Sequence, residues 1–273
     1  MRINQNIAAF NAYRNLSNTE SMLNKSLEKL SSGFRINRAA DDAAGLVISQ
    51  GLRAQISGLK QATRNAQDGI SVVQTAEGAL NEVQNMLQRM RDLSVQAANT
   101  GSTDATAATA IQSEYDGLAA EITRVTGATK FGTTQLLNGT AGTSGTVTFQ
   151  VGANASATDQ ISVALPNLTT LSTSANLSTA AGATAAITAL DTAISTVSST
   201  RGTLGGIQNR FESVIANLQV ATENLSASES RIRDTDMASE MTNFTKNQIL
   251  QQAGTAMLAQ ANSVPQSILK LIQ

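Results

Sequence analysis

The sequence predicts a mainly α protein: a long antiparallel helical rod packed like a coiled-coil bundle, with a small β-hairpin region and two terminal helical arms. Three observations carry this reading. Apolar residues recur by threes and fours over segments far longer than an ordinary helix, the spacing of a coiled-coil seam. Aromatic residues make up only 3% of the 273 residues and Trp is absent, so the 41% hydrophobic content suits thin helical packing better than a thick globular core. A period-two rhythm occurs only in one short Thr- and Gly-rich stretch, where alternating apolar positions read as strands.

The first arm follows from Tyr13, Leu16, Glu20, Leu23, Leu27, Leu30 and Phe34, a seam broken once by Glu20. "SSG" at 31–33 supplies the stop, with Gly33 suited to the left-handed cap position. Asp41 or Asp42 then caps the next helix, because a carboxylate accepts the open N–H groups at the positive end of the helix dipole. That helix runs without Pro from about Leu46 to Asn99 on two successive seams. The first is Leu52, Ile56, Leu59, Thr63, Ala66, Ile70, Val73, and the second Ala76, Ala79, Val83, Met86, Met90, Leu93, Ala97. At 1.5 Å per residue such a helix spans roughly 80 Å, so a rod is expected.

"NTGSTD" at 99–104 ends this helix, and Ser102 to Asp104 can cap a shorter one through Ile111, Leu118, Ile122 and Val125 to Gly127. The alternating runs Val147, Phe149, Val151 and Ile161, Val163, Leu165 predict the hairpin. From 180 the helical rhythm returns over Ile187, Leu190, Ile194, Val197, Arg201, Leu204, Gln208, Phe211, Ile215, Leu218, Thr222, Leu225, Glu229 and Ile232. After "RDTD" a last helix carries Leu250, Gly254, Met257, Ala261, Val264, Ile268 and Leu271, with Pro265 expected to kink it or restart a turn. The domains expected are 1–45 with 235–273 as terminal arms, 46–130 with 180–234 as the rod, and 131–179 as the hairpin and surface region. Arms attached to opposite ends of a folded-back rod finish side by side.

Composition excludes much chemistry. The net charge is −1 and charged residues are 14%, against roughly 25% in an average chain, so no basic stripe exists for nucleic acid. With neither Cys nor His, disulfides, thiolate chemistry and the usual zinc sites are excluded, and no cofactor is expected. "MRINQNIAAFNAYRNL" lacks the apolar core and cleavage site of a secretory signal, and no run approaches roughly 18 uninterrupted apolar residues, so no membrane span is predicted. "SLEK" (Ser26 to Lys29) and "SILK" (Ser267 to Lys270) match the S-x-x-K nucleophile pattern, but its companion motifs S-D-N and K-T-G are missing. Asp234 and Asp236 in "DTD" lack the Gly and the distal Glu of a calcium loop and read as another helix start. No catalytic site is expected.

The terminal seams pose a different problem, since nothing else in the chain is large enough to cover them. "SVPQSILKLIQ" alone places Ile268, Leu269, Leu271 and Ile272 in the last turns. The arms are therefore expected to be disordered in a free monomer and to fold when other copies surround them.

Four stretches resemble bacterial flagellins: "MRINQNIAAFNAYRNL", "LEKLSSGFRINRAADDAAGLVIS", "LQRMRDLSVQAANT" and "SRIRDTDMASEMTNFTKNQILQQAGTAMLAQANSVPQSILKLIQ". The resemblance spans residues 1 to 138 and 185 to 273, with a short middle that implies a form lacking large variable outer domains. It implies a structural subunit that self-assembles into the flagellar filament for swimming, exported by the flagellar type III apparatus without a cleaved signal and residing outside the cell. The expected polymerisation seam is Leu16, Leu23, Leu27, Leu30, Leu250, Met257, Val264, Ile268 and Leu271. Further partners implied are filament cap and hook-filament junction proteins and an export chaperone contacting Ile249, Leu250, Met257, Leu258, Val264, Ile268 and Leu271. The animal Toll-like receptor for flagellin is implied at the face bearing "QRMRDL", with Arg89, Leu93 and Glu114 on the matching positions. Asp92 stands where Glu is commoner, and Gly132-Thr133 follows Phe131 where the family usually has Asn-Gly. The rival readings are a coiled-coil adaptor or secreted tip protein, a hook-filament junction protein and, least supported, an enzyme.

Overall fold

The computed structural model describes residues 5–99, 101, 104–143, 145–171 and 174–272, with side chains described to 264 except at 170. The chain divides into two compact units, Met1–Ala54 with Asn224–Gln273, and Gln55–Glu223.

In the first unit, α1 (Ile7–Ser32) opens at Asn6, whose side chain accepts the Ala9 N–H at 3.1 Å. It closes at Gly33, where φ is 74° and the N–H donates to the Lys29 carbonyl, the left-handed cap the sequence predicts. Of the two candidate caps for α2 (Ala43–Ala98), Asp42 takes the role by accepting the Gly45 N–H at 2.8 Å. Asp41 instead holds the preceding turn, accepting from the Arg38 and Asn37 N–H groups at 3.0 and 3.2 Å. These bonds, Arg38 first, lower its carboxyl pKa below the ordinary value, so ionised Asp41 supports the folded turn. That support is complete above the ordinary carboxylate pKa and is lost as pH falls through the depressed folded value.

The end of α4 (Ala180–Arg233) is strapped to this turn. The Arg35 N–H donates to the Arg233 carbonyl at 2.6 Å, and the Thr235 N–H donates to the Gly33 carbonyl at 3.0 Å. The Arg233 guanidinium lies 4.4 Å over the Phe34 ring, so Phe34 belongs to this strap more than to a helical seam. Asp236 then caps α5 (Met237–Ile272), accepting the Ala238 and Ser239 N–H groups at 2.9 and 3.2 Å. The helix continues through Pro265, so no new helix starts there. Proline removes one donor from the ladder, and the bonds on either side carry the helix past it. Helices α1 and α5 pack against each other, as expected of arms that finish side by side.

The second unit holds the hydrophobic core. From α2 come Val73, Ala76, Leu80, Val83, Leu87, Met90 and Leu93, and from α4 come Leu190, Val197, Leu204 and Phe211. Helix α3 (Ala105–Ala128), capped by Asp104 on the Ala107 N–H, adds Ile111, Tyr115 and Ile122. Ser102, the other end of the expected cap, lies outside the described residues. Burial pushes the Tyr115 phenol up.

Strands β1 (Lys130–Phe131) and β2 (Thr134–Gln135) turn at Gly132, φ 59°, so the departure from Asn-Gly still places a residue suited to positive φ in the turn. The predicted hairpin is β3 (Thr146–Gln150) paired antiparallel with β4 (Gln160–Ala164), Phe149 opposite Ile161 and Val147 opposite Val163. Among its contacts with the helices are a ring pair and a hydrogen bond. Phe149 meets Phe211 edge-on at 5.6 Å and 88°, and Asn65 donates to the Gln150 carbonyl at 2.9 Å.

One 18-residue window of α4 reaches a mean hydropathy of 1.2, enough by length and composition alone to cross a membrane. Its packing gives that composition another cause. Ala183, Ala186, Leu190, Ala193 and Val197 face the core, while Thr184, Thr188, Thr192, Thr196 and Thr200 are arrayed along α4, each hydroxyl donating to the carbonyl four residues earlier.

Candidate assembly interface

The pairing of α1 with α5 uses a different register from the predicted seams. On α1 the shielded row is Ala9, Ala12, Leu16, Thr19, Leu23, Ser26, Leu30 and Gly33, and on α5 it is Glu240, Phe244, Asn247, Gln251, Gly254, Leu258 and Ala261. Both rows alternate by threes and fours, so the coiled-coil rhythm is present. Small side chains let the helices approach closely: a Cβ built on Gly254 would lie 3.2 Å from Leu16 Cδ1. Near the open end, the Asn6 side-chain amide donates to the Ala261 carbonyl at 2.7 Å. Thr19 tolerates burial because its hydroxyl donates to the Asn15 carbonyl at 2.9 Å within its own helix.

Of the expected polymerisation seam, Leu16, Leu23 and Leu30 lie in this row, whereas Leu27, Leu250, Met257 and Val264 are exposed. Tyr13 and Glu20 of the first predicted seam are exposed as well. Of the residues expected to meet a chaperone, Leu258 is half-buried and Ile249 is exposed. The side chains of Ile268 and Leu271 lie outside the described residues. The physical reason for the split is that α5 carries apolar residues on more than one stripe. A three-and-four count starting at Leu250 passes through both the shielded positions 254 and 261 and the open positions 250, 257 and 264. Thr19 and Ser26 escape the sequence reading as packing residues because they are polar, although their heptad spacing is available.

The distribution of burial sets the first unit apart. Among the described residues, its buried apolar side chain is Ile36, 1% exposed, while Thr19, Ser26 and Ser49 are buried polar ones. Yet Ile7, Phe10, Tyr13, Met22 and Leu27 on α1, Val47 and Ile48 at the start of α2, and Met237, Met241, Ile249, Leu250, Met257 and Val264 on α5 all face outward, Phe10 at 70%. Outside this unit the large exposed apolar residues are Val95, Phe131 and Val220 alone among those described. A shallow groove of about 510 Å³ runs along α5, lined by Met241, Thr242, Thr245, Lys246, Ile249 and Leu250. Such a density of outward apolar groups on one unit marks an interaction surface.

The second face singled out lies in the other unit. Arg89 Nη2 meets Glu114 Oε1 at 2.6 Å, with Nε donating to the same oxygen at 2.8 Å, tying α2 to α3 on an exposed surface. Leu93 is 2% exposed and therefore supports that surface from the core, a correction to its placement on the face. Candidate chemistry does not assemble. Ser26 is buried on α1, Asp41, Asp42 and Asp236 are occupied with backbone N–H groups, and no cluster of three metal-ligating side chains exists among the described residues.

One unit with a helical core and another whose apolar faces are left open define an assembly protein, a subunit that completes itself against other chains. Residues 3–142 match the model of the bacterial flagellin N-terminal helical region, and residues 187–272 that of the C-terminal helical region. The chain is 49% identical over 276 residues to a flagellin of Halalkalibacterium halodurans and 48% identical over 306 residues to one of Bacillus subtilis, with 100% of each chain covered in both cases. A crystal structure of Bacillus cereus flagellin is 34% identical with a TM-score of 0.51, covering 57% of this chain and 88% of that one. The chain belongs to the bacterial flagellin family, as a short form without large variable outer domains. It is a structural subunit of the flagellar filament, assembling as a homopolymer outside the cell, and not an enzyme.

Proposed function

We propose that residues 1–45 with 235–273 form the filament's inner core, 46–130 with 180–234 the surrounding rod, and 131–179 a small surface region. The observation that carries this is the contrast between the units: among the described residues, the first buries one apolar side chain of its own and turns thirteen large ones outward, Ile7, Phe10, Ile249 and Met257 among them. Copies packed around a common axis cover those faces, and apolar area removed from water stabilises the polymer. The α1–α5 pair lacks a core, so it is the part of the chain that gains order as the filament grows.

The same α5 surface needs cover before assembly, and an export chaperone seated on Ile249, Leu250 and Met257 provides it, with Val264, Ile268 and Leu271 continuing the contact and Leu258, half-buried in the row facing α1, joining it once α1 and α5 separate. The chain then leaves through the flagellar type III apparatus and is placed between hook-filament junction and cap proteins. The Arg89–Glu114 face is the surface offered to the animal Toll-like receptor for flagellin. Polymerisation is tested by adding monomer to sheared filament fragments and counting filaments by negative-stain microscopy, beside a chain lacking residues 235–273. Long filaments from the intact chain alone are expected. Equal elongation by the shortened chain would remove α5 from the core.

A further inference from the structure

The methionines divide along the same line as the two units. Met22, Met237, Met241 and Met257 are 47%, 48%, 49% and 65% exposed and lie on the open apolar faces of α1 and α5. In the second unit Met90 is 0% exposed and Met86 is packed half-buried against the core. Met1 lies outside the described residues. An exposed thioether is open to two-electron oxidants, and a buried one is shielded by its neighbours.

We infer that these four methionines make the free subunit sensitive to peroxide-class oxidants and that filament assembly protects them. This rests on the proposed burial of the arm faces between copies. In the reaction, a sulfur lone pair attacks one oxygen of hydrogen peroxide as the O–O bond breaks. A sulfur–oxygen bond forms, and proton transfer releases the second oxygen as water. Sulfur is oxidised by two electrons and the peroxide is reduced. The product is a polar sulfoxide on a flexible side chain that had been apolar, and a dry helix–helix interface does not accept it without loss. A subunit oxidised before incorporation therefore adds poorly to the growing end, whereas one already incorporated is shielded. A methionine sulfoxide reductase, supplied with a thiol reductant, returns the sulfoxide to the thioether with release of water, so the block is reversible and not permanent damage.

The test treats monomer and preformed filament separately with hydrogen peroxide, maps sulfoxides by peptide mass spectrometry and measures seeded elongation. In the monomer Met22, Met237, Met241 and Met257 are expected to oxidise faster than Met90, and elongation should fall by roughly tenfold for each buried thioether lost. A methionine sulfoxide reductase should restore elongation, and a Met22→Leu, Met237→Leu, Met241→Leu, Met257→Leu variant should elongate equally with and without peroxide. If the combined variant does not elongate untreated, single Met257→Leu and Met241→Leu chains serve, each expected to resist in part. Oxidised wild-type monomer that elongates like untreated monomer would overturn the inference, as would loss that the reductase cannot reverse. Equal oxidation of the four residues in filament and monomer would overturn the burial reading beneath it, a separable failure.

Discussion

Replacing Phe211 by alanine is expected to cost about 3–5 kcal/mol of the second unit's stability, the range for emptying a fully enclosed aromatic site. Phe211 is 0% exposed and sits where α2, α4 and the hairpin meet. On one side its ring receives Phe149 edge-on at 5.6 Å. On the other it approaches the α2 backbone at Gly69, where a Cβ would stand 2.6 Å from Phe211 Cζ. The pocket is shaped by glycine on one wall and by another ring on a second, so neither neighbour can collapse into the void without moving a helix or the hairpin. Urea unfolding of the monomer checks this through a lower midpoint at unchanged slope, because the surface exposed on unfolding stays nearly the same. A loss below 1 kcal/mol would mean that the hairpin is not held through this ring.

The second large effect is on assembly. An Ile249→Asp, Met257→Asp chain should fail to elongate at concentrations about a hundredfold above those that suffice for the wild type, because each carboxylate would be buried without a partner. Both residues are exposed in the single chain and both lie outside the Gln55–Glu223 unit. The urea midpoint of that unit should therefore stay where it is. Seeded elongation followed by light scattering, with the unfolding curve as control, separates lost assembly from lost folding. Normal elongation would place α5's outer face away from any interface.

Much of the fold was legible because helix periodicity is a strong signal when it is long. Ala66, Val73, Ala76, Val83, Met90, Leu93 and Ala97 on α2, and Leu190, Val197, Leu204, Phe211 and Leu218 on α4, are the seam positions that the structure buries. Gly33 and Asp236 were readable as a stop and a start because only certain side chains satisfy open helix ends. The paired strands around Phe149 and Ile161 were readable from alternation alone.

The arms were harder for a physical reason. In α2 and α4 counting by threes and fours lands on or beside the packed stripe: of the α2 seam, Ala79 and Met86 are half-buried while their neighbours Leu80 and Leu87 are fully enclosed. In α5 two stripes are apolar, and the count from Leu250 mixes them. Which stripe meets α1 is decided by close approach at Gly254, information carried by the partner helix and absent from the periodicity of α5. Leu93 stands on the α2 seam by periodicity and on a surface only through the resemblance, and its 2% exposure agrees with the seam.

The central claim is that the arm faces become interior only when copies surround them. Peptide-resolved hydrogen exchange on monomer and filament tests it most directly. The account predicts that amides of α1 and α5 exchange rapidly in the monomer and are strongly protected in the filament, while the core stretches of α2 and α4 are protected in both. Arms that exchange as fast in the filament as in the monomer, or that are already fully protected in the monomer, would contradict it.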